Sequence, residues 1–137
     1  MTESVEPPRR RVGIVVATTL FALFCLNSWT QVMGKLFGFA NEVPILAIWH
    51  LFVGGAAYAA AVGTLRRRPW AWQAAFVWTI TMSTLIISLG PILKLDAEER
   101  MGLPAGAIAV LLLGTGLTLY VRSATGTRAG TPAPPAP

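Results

Sequence analysis

The groups in this chain that could do chemistry are few, and they lie inside long apolar sequence. Asn27 and Gln31 stand in the first of four uncharged runs, His50 in the second, and Thr84 and Ser88 in the third. Polar side chains at such positions are the first candidates for function, because a polar group in hydrocarbon is costly unless something uses it. Counting about 1.5 Å per residue from the run ends places Asn27 and Gln31 about 9 and 3 Å deep, and His50 about 10 Å. Thr84 and Ser88 fall about 13 and 8 Å deep on the same scale. All five are counted from the same side. Asn27 and Gln31 are four residues apart and share a helix face, as do Thr84 and Ser88. The chemistry open to them is binding: a few convergent polar groups in an apolar cavity can orient an apolar ligand with a polar head, such as a quinone. The alternative use is hydrogen bonding between helices, worth ~0.6 kcal/mol per contact on average.

His50 is the single histidine, so a bis-histidine haem is excluded; Met33 or Met82 would have to supply a second ligand. Cys25 is the single cysteine and can form no intramolecular disulfide or CxxC pair. In an apolar run it reads as a small packing residue. No Asp or Glu lies in any of the four runs, which argues against proton-coupled export through a membrane carboxylate. No nucleophile–base pair, phosphate loop or metal-binding cluster is visible. The expectation is a protein that is not an enzyme and has no resident metal or cofactor, quinone being the ligand it could hold.

The four runs cover residues 12–33, 43–65, 70–93 and 103–121, with no Asp, Glu, Lys or Arg among them. Each is long enough to cross a ~30 Å hydrocarbon core as a helix. The expected fold is therefore all-α: a polytopic membrane four-helix bundle spanning residues 12–122. Residues 1–11 form a basic N-terminus and 123–137 a tail of Pro, Ala, Gly, Ser and Thr, both expected to be disordered. Pro44, Pro69 and Pro104 sit at helix starts, where a missing N–H costs nothing. Pro91 should kink or end the third helix. Trp49, Trp70, Trp72 and Tyr120 fall at the boundaries, as an aromatic belt would.

Basic residues are divided unequally. Arg9, Arg10, Arg11, Arg66, Arg67, Arg68, Arg122 and Arg128 fall on one side; the other holds Lys35, Lys94 and Arg100 beside Glu42, Asp96, Glu98 and Glu99. The positive-inside rule then puts both termini in the cytoplasm and the protein in the inner membrane as a multi-pass protein. The first run is longer than a signal-peptide core and ends in no small-x-small site, so it is expected to be retained. The net charge of +5 is gathered in clusters at run ends, not in an aromatic-interleaved stripe, which argues against nucleic acid as a partner. Gly55, Ala59 and Gly63 recur every four residues in the second run, a small face suited to close helix packing in this chain or with a second copy. The two halves repeat one order of features: arginines, a run, Lys-Leu, an acidic connector and an X-Pro start. A parallel duplication and the shared charge rule both produce that order.

Met33-Gly34-Lys35-Leu36-Phe37-Gly38-Phe39 closes the first run. A short connector with Pro44 follows, then a Gly-rich second run and a basic turn into Trp70-Ala71-Trp72. Over residues 12 to about 93 this order resembles the DoxX-like family of small four-helix membrane proteins. The fourth run departs from that pattern, with Gly114-Thr115-Gly116 as its one echo. The resemblance implies a non-catalytic accessory or scaffold subunit of a bacterial membrane complex, including quinone-linked redox assemblies, with another membrane protein as partner. It transfers no catalytic residue. The second expectation is a small carrier that binds an apolar or quinone-like ligand through Asn27, Gln31, His50, Thr84 and Ser88.

Overall fold

The computed structural model describes residues 8–37 and 44–126, and it is all-helical over them. The helices are α1 Pro8–Leu36, α2 Pro44–Leu65, α3 Ala71–Ile92, the single turn α4 Ala97–Arg100, and α5 Gly102–Gly126. Among the described residues four helices, all but α4, are long and apolar enough to cross a membrane. Arg11, the Arg66–Arg68 turn and Arg122 share one end of the bundle, here the arginine end. The opposite end carries the α3–α5 connector.

Two boundaries differ from the sequence expectation. α1 begins at Pro8, not at residue 12, so residues 8–11 are helical rather than disordered. α5 runs on to Gly126, and Ala124 and Thr125 are buried, so the tail does not begin at 123. The reason is the same at both ends. A helix satisfies its own backbone, so its hydrogen bonding does not stop where the hydrocarbon does. The remainder of both expected disordered segments, residues 1–7 and 127–137, lies outside the described residues.

The tight reversals at α2 and α3 use the same device. Arg67 and Lys94 adopt the left-handed conformation, with φ of 51° and 52°. The N–H of Arg68 then donates to the Gly63 carbonyl at 2.8 Å, and that of Leu95 to the Gly90 carbonyl at 3.1 Å. These are the six-to-one bonds of Schellman caps, which satisfy carbonyls that a helix end leaves open. Pro91 falls in the last turn of α3, and the helix ends one residue later at Ile92. α4 opens on a reciprocal cap between Asp96 and Glu99.

α1 packs beside α2, α2 beside α3, and α3 beside α5, while α1 and α5 meet only sparsely. Phe21 and Phe24 of α1 reach across the bundle to Trp78 of α3, with ring centroids 5.4 and 4.7 Å away. At the arginine end Tyr120 of α5 lies over Gly13 of α1, where a Cβ would collide with its ring.

The core is built from small residues. Ala17, Ala57, Ala60, Ala71 and Ala75 are almost fully buried around Phe21 and Trp78, while Leu112 and Leu113 are 70% and 75% exposed. In lipid a large aliphatic side chain gains little by turning inward, because the tails are as apolar as the core. Close approach of backbones is the gain, and small residues permit it. Gly114 shows this directly, since a Cβ there would strike the Thr79 side chain. Cys25 packs partly buried against the core.

Candidate functional site

The five polar residues of similar depth do not share one environment. Asn27 and Gln31 are exposed on α1. Ser28 faces α2, where a Cβ on Gly54 would lie 3.1 Å from the Ser28 Cβ. At 100° per residue Asn27 lies 100° around α1 from Ser28, away from that contact, whereas Gln31 lies 60° from it, at the exposed border of the α1–α2 interface. Thr84 is also exposed and donates its hydroxyl to the Ile80 carbonyl at 2.9 Å. Ser88 is half-buried on the same helix.

His50 goes inward. It sits between Leu46 and Val53, both 1% exposed, on the stripe that faces the bundle. Its Nδ1 lies 2.7 Å from the Leu46 carbonyl oxygen. A carbonyl only accepts, so Nδ1 is the donor in this contact. The structure thus sets His50 against the core and points Asn27, Gln31 and Thr84 outward.

The three small residues of the second run also divide. A Cβ on Gly63 would lie 2.9 Å from the Trp70 ring and 3.0 Å from the Ala71 Cβ, so Gly63 serves the α2–α3 packing. Ala59 is half-buried. Gly55 has open space where a Cβ would stand, so it makes no close helix contact among the described residues. The α1 contact uses Gly54 instead, one residue away and 100° around the helix. Of the belt aromatics, Trp72 carries the Arg122 guanidinium 5.3 Å above its ring, a cation–π contact at the arginine end.

A buried polar set went unrecognised in the sequence. Thr64, Thr79, Ser83, Thr118 and Thr125 are all buried. Thr79, Ser83 and Thr125 bond the carbonyl four residues back, at 2.8 to 2.9 Å. That local bond lets a hydroxyl sit in a helix interface without a partner on another helix. Thr18, Thr64, Thr118 and the indole N–H of Trp78 are buried with no hydrogen-bond partner among the described residues, one on each long helix. The available signal was spacing: Thr118 and Thr125 stand seven apart, in line with Gly114 and Val121.

At the connector end a cleft of about 150 Å³ lies between α3 and α5, lined by Ile87, Gly90, Pro91, Arg100, Leu103 and Pro104. The Arg100 Nε donates to the Leu95 carbonyl at 2.6 Å. Pro91 has no N–H to give the Ile87 carbonyl, so one acceptor there is free of the helix ladder. Among the described residues no group of three or more His, Cys, Asp or Glu side chains is placed to hold a metal ion.

These features suggest a multi-pass helical membrane protein, by the length and apolar composition of its four long helices. No family model, no curated protein and no solved structure matches the chain.

Proposed function

We propose that this protein is a small, non-catalytic accessory or scaffold subunit of a bacterial inner-membrane complex, acting through helix contacts in the bilayer. The observation that carries this reading is the outward direction of Asn27 and Gln31. Membrane-embedded polar side chains nearly always face a partner or a water-filled cavity. Here two amides are exposed on α1, Asn27 on the side away from α2, which gives a neighbouring membrane helix something to hold. The likeness of residues 12 to 93 to DoxX-like proteins supports the same reading, and a quinone-linked redox assembly is the complex it favours. The arginine asymmetry favours an orientation with both termini in the cytoplasm.

Two experiments test this. A mild-detergent pull-down of the full chain from its own membranes, analysed by mass spectrometry, should recover a stoichiometric membrane partner. The Asn27→Leu/Gln31→Leu variant should lose it. Equal recovery with the variant removes the reading. For orientation, Arg67→Cys and Glu98→Cys in a Cys25→Ala background should react with an impermeant reagent from opposite faces, position 67 from the cytoplasm.

A further inference from the structure

We infer that α1 carries a second packing seam, directed out of the bundle, and that its occupant is α1 of a second copy of this chain. The inference rests on the outward amide of the preceding section and names the partner. The seam is Val16, Leu20, Leu23, Asn27, Thr30 and Gly34, spaced by four, three, four, three and four residues. That alternation is a heptad repeat, the pattern by which two helices supercoil. The first five of these residues are exposed, and Gly34 has open space where a Cβ would lie. The stripe rises about 27 Å, most of the hydrocarbon thickness.

An exposed apolar stripe alone would say only that lipid lies beside it. Asn27 changes the argument. An outward threonine can satisfy itself on its own helix, as Thr84 does at 2.9 Å. An asparagine amide has two donors and an acceptor oxygen and cannot meet them all that way. The Asn27 side chain makes no hydrogen bond to another described residue; only its main-chain carbonyl is engaged, by the Thr30 hydroxyl at 2.7 Å. It lies about 10 Å below Gly34, within the hydrocarbon.

The choice of a second copy follows from symmetry. Copies inserted in one sense are related by a two-fold axis along the membrane normal, which sets each residue of the seam against itself. An amide is both donor and acceptor, so Asn27 complements Asn27 without help from any other residue. A single Asn within a heptad seam is also the device that fixes register and oligomeric state in two-stranded coiled coils. A different protein would need its own amide or carboxyl group at this depth.

The test uses the full chain with Cys25→Ala in lipid vesicles. Leu20→Cys, Leu23→Cys and Thr30→Cys should cross-link between copies on oxidation, and Ala22→Cys, Leu26→Cys and Trp29→Cys should not. Energy transfer between labelled copies, followed against protein-to-lipid ratio, should show the Asn27→Leu dimer weakened about three- to twenty-fold. Asn27→Gln, which keeps the amide, should retain most of the association. Unchanged thermal unfolding of Asn27→Leu would show that the bundle itself is intact. Uniform cross-linking, cross-linking confined to Ile48→Cys and Phe52→Cys on α2, or no energy transfer at any ratio overturns the inference. If Leu23→Cys instead captures one other polypeptide in native membranes, the seam belongs to a hetero-partner: the second copy is excluded and the accessory reading stands. Capture of neither removes both.

Discussion

Gly114 and Gly116 are two residues apart in α5 and stand in opposite environments. A Cβ at 114 would lie 2.9 Å from the Thr79 Cβ, with Thr79 Oγ1 and Cγ2 nearer still, whereas nothing lies within 4 Å of a Cβ at 116. Thr79 cannot swing aside cheaply. It is 2% exposed, it is β-branched and stiff at χ1, and its hydroxyl is tied to the Ala75 carbonyl at 2.9 Å. Carbon contacts settle at about 3.5 to 4.0 Å, and Thr79 Cγ2 would lie 2.5 Å from the new Cβ, so Gly114→Ala must part α3 and α5 by roughly 1.0 to 1.5 Å. Overpacking of that kind costs about 1 to 3 kcal/mol.

Against that cost stands the helix propensity of Ala over Gly, about 0.8 to 1.0 kcal/mol. That gain is the same at both positions and cancels in the comparison. Gly116→Ala should therefore stabilise by up to about 1 kcal/mol, and Gly114→Ala should fall below it by about 1 to 3 kcal/mol. Unfolding in mixed micelles, read by helical ellipticity, measures both. Thr79→Ala removes the two nearest atoms and should recover part of the loss in the double variant. Equal stabilities of the two Ala variants within about 0.5 kcal/mol would refute a tight α3–α5 contact at this level.

Three other outcomes follow from the geometry. Lys94→Gly should raise stability by up to about 1 kcal/mol, because it removes a Cβ from a left-handed residue; Lys94→Ala should not. Trp78→Phe should cost much less than the ~3 to 5 kcal/mol expected of Trp78→Ala, since it keeps a ring against Phe21 and Phe24 and deletes a buried N–H that lacks an acceptor. Comparable losses for the two would mean that the N–H is held. His50→Ala and Asn27→Ala should act independently on any quinone-analogue binding, with coupling under about 0.5 kcal/mol, because one side chain faces the core and the other faces out. Strong coupling in isothermal titration would restore a shared pocket.

Depth in the membrane was legible in the sequence, and rotation about each helix was not. The uncharged runs mark the four long helices to within a few residues, since the charges of Arg66, Lys94 and Arg100 are excluded from hydrocarbon whatever the packing. Hydropathy then fails as a guide to the inward face, because lipid and core are equally apolar. That is why Asn27, His50 and Thr84, read as neighbours at one level, point in different directions. It is also why four-residue spacing groups Gly55 with Gly63, although of the two, among the described residues, Gly63 alone meets a neighbouring helix. The four-residue spacing was right for a helix face, but Gly54 sits on the face that α1 uses.

A different rule recovers much of the rotation. In α5, Ala107, Gly114, Thr118, Val121 and Thr125 are buried, while Ile108, Leu112, Leu113 and Leu119 are exposed. The buried positions are small or hydroxyl-bearing, Val121 apart, and these large aliphatic residues are outward; Thr115 and Gly116 show that a small residue can face out as well. Both preferences have one cause: interfaces in lipid are selected for close approach and local satisfaction of hydroxyls, not for transfer out of water. Asn27 breaks this rule from the other side. It is polar, it cannot satisfy its amide on its own helix, and it faces away from the α1–α2 interface. A residue that is costly in lipid and unused by its own fold is where a contact outside the fold should be sought, and that is what makes α1 the helix to test first.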